Sequence, residues 1–209
     1  MRGFRIKWYH TRMNANIYVW AAWIAGAYLV GSVPFGYLIG RMRGVDVRTV
    51  GSKNIGATNV YRTVGKSWGL LAFLCDFLKG LLPTLAAMRW GGEANLPVCV
   101  GLACVVGHTL TVFMRFRGGK GVATAFGMMI ALVPYPTLAA FAVFVVVVWL
   151  SHYISLGSIL AAATLCALVW VFPATPAVRW VVTAIAAFVV FKHRSNIARL
   201  AKGCENKIY

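Results

Sequence analysis

The sequence predicts an all-α integral membrane protein with seven transmembrane helices, glycine-rich cytoplasmic loops and a C-terminal amphipathic segment. Three observations carry that prediction. Hydrophobic residues fill 60% of the 209 positions and charged residues only 12%, about half the charged share of a soluble domain. The apolar residues fall in runs that approach or exceed the roughly 20 a helix needs to cross the hydrocarbon core. The charges gather in short stretches between those runs, several of them beside clustered glycines.

Residues 1–16 form a basic N-terminal arm, and 17–209 a single seven-helix domain. The run after the arm is long and lacks a convincing small-residue cleavage site, so the arm does not read as a removable signal peptide. The first span covers 17–40, and the G-S-V-P-F-G at 31–36 marks a kink or close packing against a neighbour. A hydrophilic loop over 41–66 leads to the second span, 67–88, which holds Asp76 and Lys79 three residues apart on one face. Charges at that depth are costly, and they serve either as a mutually neutralising pair or toward a substrate. A short loop at 89–95 precedes the third span, 96–114, which carries His108.

From 121 to 150 the chain stays apolar, interrupted by Pro134-Tyr135-Pro136. Two prolines one residue apart predict a tight turn rather than one bent helix, which gives short fourth and fifth spans. His152, Tyr153, Ser155 and Ser158 form the next connection, 156–172 the sixth span, 173–179 a turn, and 181–191 with its flanks a short seventh span. In the tail, His193, Asn196 and Arg199 recur every three residues, with Ile197 and Leu200 supplying an apolar side. That pattern suits an amphipathic helix at the interface, or a basic anchor for anionic lipid. Cys75, Cys99, Cys104 and Cys166 lie in apolar runs and Cys204 in the tail, with no metal-binding spacing, so they read as small packing residues.

The formal net charge is +17, with 21 Lys and Arg against four acidic residues. An anionic partner is implied, but the cations sit in short loops that lipid head groups and small anions reach and a nucleic-acid duplex does not fit. With the N-terminus outside, the segments at 41–66, 115–120 and 192–207 face the cytoplasm and hold most of the basic residues, as the positive-inside rule requires. The basic arm argues the other way. In this orientation the glycine-rich loops, the 152–158 connection and the tail share one side.

Two stretches there carry phosphate chemistry. G-H-T-L-T-V-F-M-R-F-R-G-G-K-G-V-A-T at 107–124 gathers Arg115, Arg117, Gly118, Gly119, Lys120 and Gly121 ahead of a helix start. Glycine admits close backbone approach to an anion, a helix start adds unpaired N–H donors and a positive dipole end, and Lys120 adds a charge. A loop that is basic only because cytoplasmic loops usually are is the alternative. G-S-K-N-I-G-A-T-N-V-Y-R at 51–62 offers Ser52, Lys53, Asn54, Gly56, Thr58, Asn59 and Arg62, an inventory matched to phosphate oxygens. Ser52 or Asn54 also suits a helix cap. Neither stretch is a Walker loop.

These two blocks, together with H-R-S-N-I-A-R-L-A-K-G-C-E-N-K at 193–207, D-F-L-K-G at 76–80 and S-L-G-S at 155–158, resemble the PlsY family of bacterial acyltransferases over nearly the whole chain. The resemblance implies a seven-helix enzyme of the bacterial inner membrane. Such an enzyme moves a fatty acyl group from acyl phosphate to the 1-hydroxyl of glycerol-3-phosphate, giving lysophosphatidic acid and phosphate, without metal or other cofactor. It also implies a functional link to an enzyme that forms acyl phosphate. Carried onto this sequence, Ser52, Lys53, Asn54, Gly56, Thr58 and Asn59 would hold the acyl-phosphate head. Arg62, Lys79, Gly118, Gly119, Lys120, Ser158, His193 and Asn196 would hold glycerol-3-phosphate, with Ser52, Lys120, His193 and Asn196 nearest the reaction. Asp76, His108 and Glu205 would be structural. Departures from the family pattern are Ile55 where proline is frequent, Thr109-Leu110-Thr111 after His108, and the longer arm.

An acyl phosphate is already activated, so the chemistry needs orientation, phosphate neutralisation and removal of one hydroxyl proton. His193 serves as a base or only as a binding group. A His-x4-Asp acyltransferase is excluded, because Phe113, Gly157 and Ala198 stand five residues after His108, His152 and His193. Four scattered acidic residues do not make the carboxylate cluster of a metal-dependent alcohol transferase. An anion channel or phosphate transporter would need a polar path through the spans, and none is apparent between the fourth and seventh. A lipid-binding subunit would account for the tail but not for two glycine-rich loops.

Overall fold

The computed structural model describes residues 17–208, and every regular element among them is helical. In chain order these are α1 (Ile17–Ser32), α2 (Phe35–Met42), α3 (Ala57–Thr63), α4 (Lys66–Trp90), α5 (Leu96–Thr109), α6 (Val122–Leu132), α7 (Pro134–Ser151), α8 (Ile154–Val171), α9 (Pro176–Lys192) and α10 (Arg194–Ala201), with a 3₁₀ turn at Val112–Met114. The basic arm lies outside the described residues.

All seven apolar segments are helical. Five stretches are long and apolar enough to cross a membrane: Ile17–Met42, Lys66–Trp90, Leu96–Met114, Pro134–Ser151 and Ile154–Val171. Pro176–Lys192 joins them only as a pair with Arg194–Ala201, bent by 54°. Helix α6 has 11 residues, about 16 Å at the α-helical rise, roughly half the thickness of the hydrocarbon core.

Several expected boundaries move. The fourth and fifth spans separate at Val133 alone, and Pro134 opens α7, where a missing N–H costs nothing. Ser155 and Ser158 belong to the first turns of α8 rather than to a connection. Helix α9 starts at Pro176, five residues before the expected span, because Thr175 accepts a bond from the Val178 N–H and caps it. The amphipathic tail helix is limited to the eight residues of α10. Beyond it the chain folds back, and the Ile208 N–H donates to the His152 carbonyl.

Glycine sets the tightest helix contacts. A Cβ on Gly31 or Gly107 would overlap the backbone of α5 or α1, and a Cβ on Gly80 or Gly127 would overlap the backbone of α6 or α4. Membrane helices associate through such close approach, because lipid offers no hydrophobic drive to hold them together. Around the α1–α2 break, polar side chains lock the helices together. Lys79 of α4 pairs with Asp76 at 2.7 Å and donates to the Val33 carbonyl at 2.8 Å, and Thr111 donates to the Ser32 carbonyl at 2.6 Å.

Candidate active site

The first glycine-rich loop and α3 fold against the starts of α4, α6 and α8 and against the tail, and together they enclose a cavity of about 630 Å³. Its wall holds Ser52, Asn54, Gly56, Thr58, Asn59, Arg62, Lys120, Ser158, His193, Asn196 and Glu205, so three blocks distant in sequence converge there. Asp76 and His108 also reach the wall.

Within the 51–62 loop, Asn59 is the brace. It is buried, its amide donates to the Val47 and Val50 carbonyls at 2.8 and 3.2 Å, and its oxygen accepts the Ser52 N–H at 2.9 Å. Its polar atoms therefore hold the loop and are not left for acyl phosphate, contrary to the sequence expectation. Asn54 accepts the Gly56 N–H at 2.9 Å, an Asx turn that fixes the approach to α3. The Ser52 and Thr58 hydroxyls remain at the wall without such duties. Lys53 is exposed, has left-handed backbone (φ 57°) and stands off the cavity wall.

The 115–121 loop works differently. The Gly118 and Gly119 N–H groups already donate to the Thr109 and His108 carbonyls, both at 3.1 Å. A Cβ on Gly118 would overlap the His108 carbonyl oxygen, and one on Gly119 the His108 imidazole. These two glycines let the loop lie on the end of α5. They do not line the cavity, and their expected contact with glycerol-3-phosphate is corrected to a packing role. Gly121, at φ 83°, then turns the chain into α6, and the α6 N-terminus carries no side-chain cap and opens on the cavity at Gly121, Val122 and Ala123. Helix starts leave N–H donors without intrahelical partners, so the backbone donors this segment turns to the cavity are those of the α6 start.

Lys79 is corrected in the same way. Its ammonium is engaged by Asp76 and the Val33 carbonyl, it lies against the Phe35 ring, and it is absent from the cavity wall. His108 Nδ1 lies 3.5 Å from the same Asp76 carboxylate, so the three residues join α4, α5 and the α1–α2 break.

The cationic side is built around a relay. Lys120 donates to the Asn196 side-chain oxygen, and Asn196 donates to Glu205 at 2.7 Å. Glu205 is buried and also accepts Ser155 at 3.0 Å and Arg199 at 2.7 Å. The carboxylate thus fixes which way the Asn196 amide faces. Its hydrogen bonds to Asn196, Arg199 and Ser155 outweigh the opposing effect of burial and hold its pKa below the usual range. Burial, with Arg199, Arg62 and Lys192 nearby, lowers the Lys120 pKa to about 8, against the pull of Glu205. Arg62 donates to the Asn206 carbonyl at 2.8 Å, which ties the tail across the cavity. Ser155 and Arg199 were not singled out as site residues from sequence, although their spacing beside Ser158 and Asn196 was the available signal.

His193, just past the end of α9, has its Nδ1 2.7 Å from the Val189 carbonyl. A carbonyl only accepts, so Nδ1 carries the proton and Nε2 presents a lone pair. Burial, and then the Lys120 charge, lower the His193 pKa to about 4. A neutral imidazole with a free acceptor therefore stands beside an ammonium.

Below the polar cavity runs an apolar groove of about 110 Å³ that shares Phe73, Val122, Phe141, Phe144 and Ser158 with it.

A sequence model of the family described as glycerol-3-phosphate acyltransferase matches residues 21–203. A glycerol-3-phosphate acyltransferase of Trichlorobacter lovleyi is 51% identical over 185 residues, covering 88% of this chain and 95% of the relative. One from Aquifex aeolicus is 44% identical over 184 residues, covering 87% and 95%. Among solved structures, PlsY, an integral membrane glycerol 3-phosphate acyltransferase in its glycerol 3-phosphate form, superposes with a TM-score of 0.86 at 41% identity over 90% of this chain and 94% of that one. Its lysophosphatidic acid form gives 0.84 at 40% identity, with the same coverage. The chain belongs to the glycerol-3-phosphate acyltransferase family.

Proposed function

We propose that the protein transfers a fatty acyl group from acyl phosphate to the 1-hydroxyl of sn-glycerol-3-phosphate, giving 1-acyl-glycerol-3-phosphate and inorganic phosphate, the first step of bacterial phospholipid synthesis. The observation that carries this reading is the joining of a cationic cavity to an apolar groove through a shared wall. The polar part suits phosphate groups, and the groove suits one acyl chain. The solved relative holds glycerol 3-phosphate in one form and lysophosphatidic acid in the other, which favours the same acceptor and product here. We place the protein in the bacterial plasma membrane with the N-terminus outside and the cavity on the cytoplasmic side, where an acyl-phosphate-forming enzyme supplies the donor.

In this mechanism the Ser52, Asn54 and Thr58 side chains receive the acyl-phosphate head, with Gly56 leaving room for it, and Arg62, Lys120 and the α6 N-terminus hold the acceptor phosphate. The acceptor hydroxyl oxygen attacks the acyl carbonyl carbon, the carbon–oxygen bond to phosphate breaks, and the departing phosphate takes up the hydroxyl proton. His193 Nε2 accepts a hydrogen bond from the acceptor and orients it. A group with a pKa of about 4 is a poor match for proton abstraction near neutral pH. His193→Gln should therefore lower kcat/KM by about tenfold, against the roughly 10²–10⁴ expected for loss of a general base. A His193→Gln protein that bound both substrates normally but lost three or more orders of magnitude in single-turnover rate would assign proton removal to the imidazole.

The donor is tested by phosphate release from palmitoyl phosphate with and without glycerol-3-phosphate, beside palmitoyl-CoA. Release that depends on glycerol-3-phosphate, with no turnover of the thioester, is the expected result. Turnover of palmitoyl-CoA without use of the acyl phosphate would overturn the donor assignment.

A further inference from the structure

The apolar groove is layered. At its mouth stand Val122, Phe144, Ser158 and Val189, one from each of α6, α7, α8 and α9. Its other end is lined by Met129, Thr137, Leu165 and Val182 from the same four helices. Each pair is seven residues apart, two turns, so every helix descends about 10 Å from mouth to floor. At the level between, every one of the four helices contributes alanine, Ala125, Ala140, Ala161, Ala162 and Ala186, with Ile185 as the bulky aliphatic neighbour among them. The floor is firm: Met129 and Val182 are fully buried in the main hydrophobic cluster, Leu165 packs against it, and Thr137 turns its hydroxyl to the Val133 carbonyl at 2.7 Å. On one flank Phe126 bridges Phe77 and Phe141 with ring centroids 5.3 and 5.0 Å away, a stiff aromatic wall.

Alanine from all four helices in the middle and close-packed bulky side chains at the end are what a depth gauge needs. Alanine leaves width for a polymethylene chain, and close-packed side chains at the floor do not yield to extra methylenes without strain. The reacting carbon is held above the mouth, in the polar cavity, so a chain about as long as one leaflet, ~15 Å, reaches the floor.

We propose that this groove sets the acyl-chain length the enzyme accepts, with the alanine level keeping it open and Met129, Leu165 and Val182 closing its end. The inference rests on the donor reading above, since it takes the occupant of the groove to be the donor's acyl chain.

The test uses the full chain in detergent, with kcat/KM measured for octanoyl, palmitoyl and arachidoyl phosphate at saturating glycerol-3-phosphate. Ala186→Leu shortens the groove, and the palmitoyl-to-octanoyl ratio should fall by about tenfold or more, the scale on which apolar pockets sense chain length. Ala161→Val adds less bulk and should shift the ratio the same way by less, which keeps the test open if the larger variant fails to fold. Leu165→Ala should raise the arachidoyl-to-palmitoyl ratio. Ala163→Leu, on the exposed side of α8, should leave the ratio of the unsubstituted protein. Equal ratios in Ala186→Leu, Ala161→Val and Ala163→Leu, with acyl phosphates still turned over, would overturn the gauge alone. Failure of the unsubstituted protein to turn over any acyl phosphate would remove the donor reading, and the gauge with it.

Discussion

The two glycine-rich loops contain similar residues and do opposite things. In the 51–62 loop, Gly56 is almost open, with Asn54 Oδ1 3.3 Å from where a Cβ would sit, and polar side chains carry the geometry. In the 115–121 loop, Gly118 and Gly119 are pressed onto His108 and their N–H groups are already bonded. The first loop presents side chains to the cavity. The second presents one side chain, Lys120, and a helix start, because its glycines let the chain cross the end of α5 closely enough to aim them. A glycine beside a lysine thus reads equally as an anion cradle or as a crossing point, and only the neighbour that a Cβ would strike separates the two.

The largest expected effect follows from how little the second loop offers. Lys120→Met removes its only cationic group at the cavity, and kcat/KM should fall by about 10³-fold, near 4 kcal/mol of transition-state stabilisation. The melting temperature should stay within about 4 °C of the parent. A loss of less than tenfold would show that Arg62 and the α6 terminus suffice. Next, Gly118→Ala should destabilise by about 3 kcal/mol as backbone is forced off backbone, whereas Gly56→Ala should cost under about 1 kcal/mol. Thermal unfolding in detergent reads both, and equal shifts would erase the contrast between the loops. Asn59→Ala follows, at about 2 kcal/mol from buried carbonyls and an N–H left without partners. Ser52→Ala should lower turnover without moving the unfolding midpoint, since that hydroxyl braces nothing.

Composition and hydropathy were enough to place the apolar helices, five stretches of which are long and apolar enough to cross a membrane and a sixth only as a bent pair, because a membrane-crossing helix needs only length and apolarity. The block residues that converge on the cavity were also readable as a set. What sequence did not reveal were the partners made at long range. Lys79 looks available beside Asp76 until the Val33 carbonyl, 46 residues earlier, is found at its ammonium. Gly118 and Gly119 look like a cradle until His108 is seen beneath them. The early start of α9 was legible: Thr175-Pro176 is a cap followed by proline at the first helical position. A hydropathy window passes over such a pair because neither residue is apolar.

The smallest expected effect, the pH profile, separates the loops by charge rather than by shape. Lys120 titrates near pH 8, because burial and neighbouring cations disfavour its charged form, and a phosphate-binding lysine works only when protonated. Since kcat/KM reports the free enzyme, it should be level below about pH 7, reach about half its plateau near pH 8 and fall roughly five- to sixfold from pH 8 to pH 9. In Lys120→Arg the guanidinium stays charged across this range, so whatever activity remains should show no such limb. On the acid side His193, at about 4, contributes no step between pH 5 and 8. A decline near pH 6 should instead follow the second ionisation of a phosphate monoester, about 6, and persist in His193→Gln. A basic limb that survived in Lys120→Arg would assign the titration to another group and leave the second loop without an electrostatic part in binding.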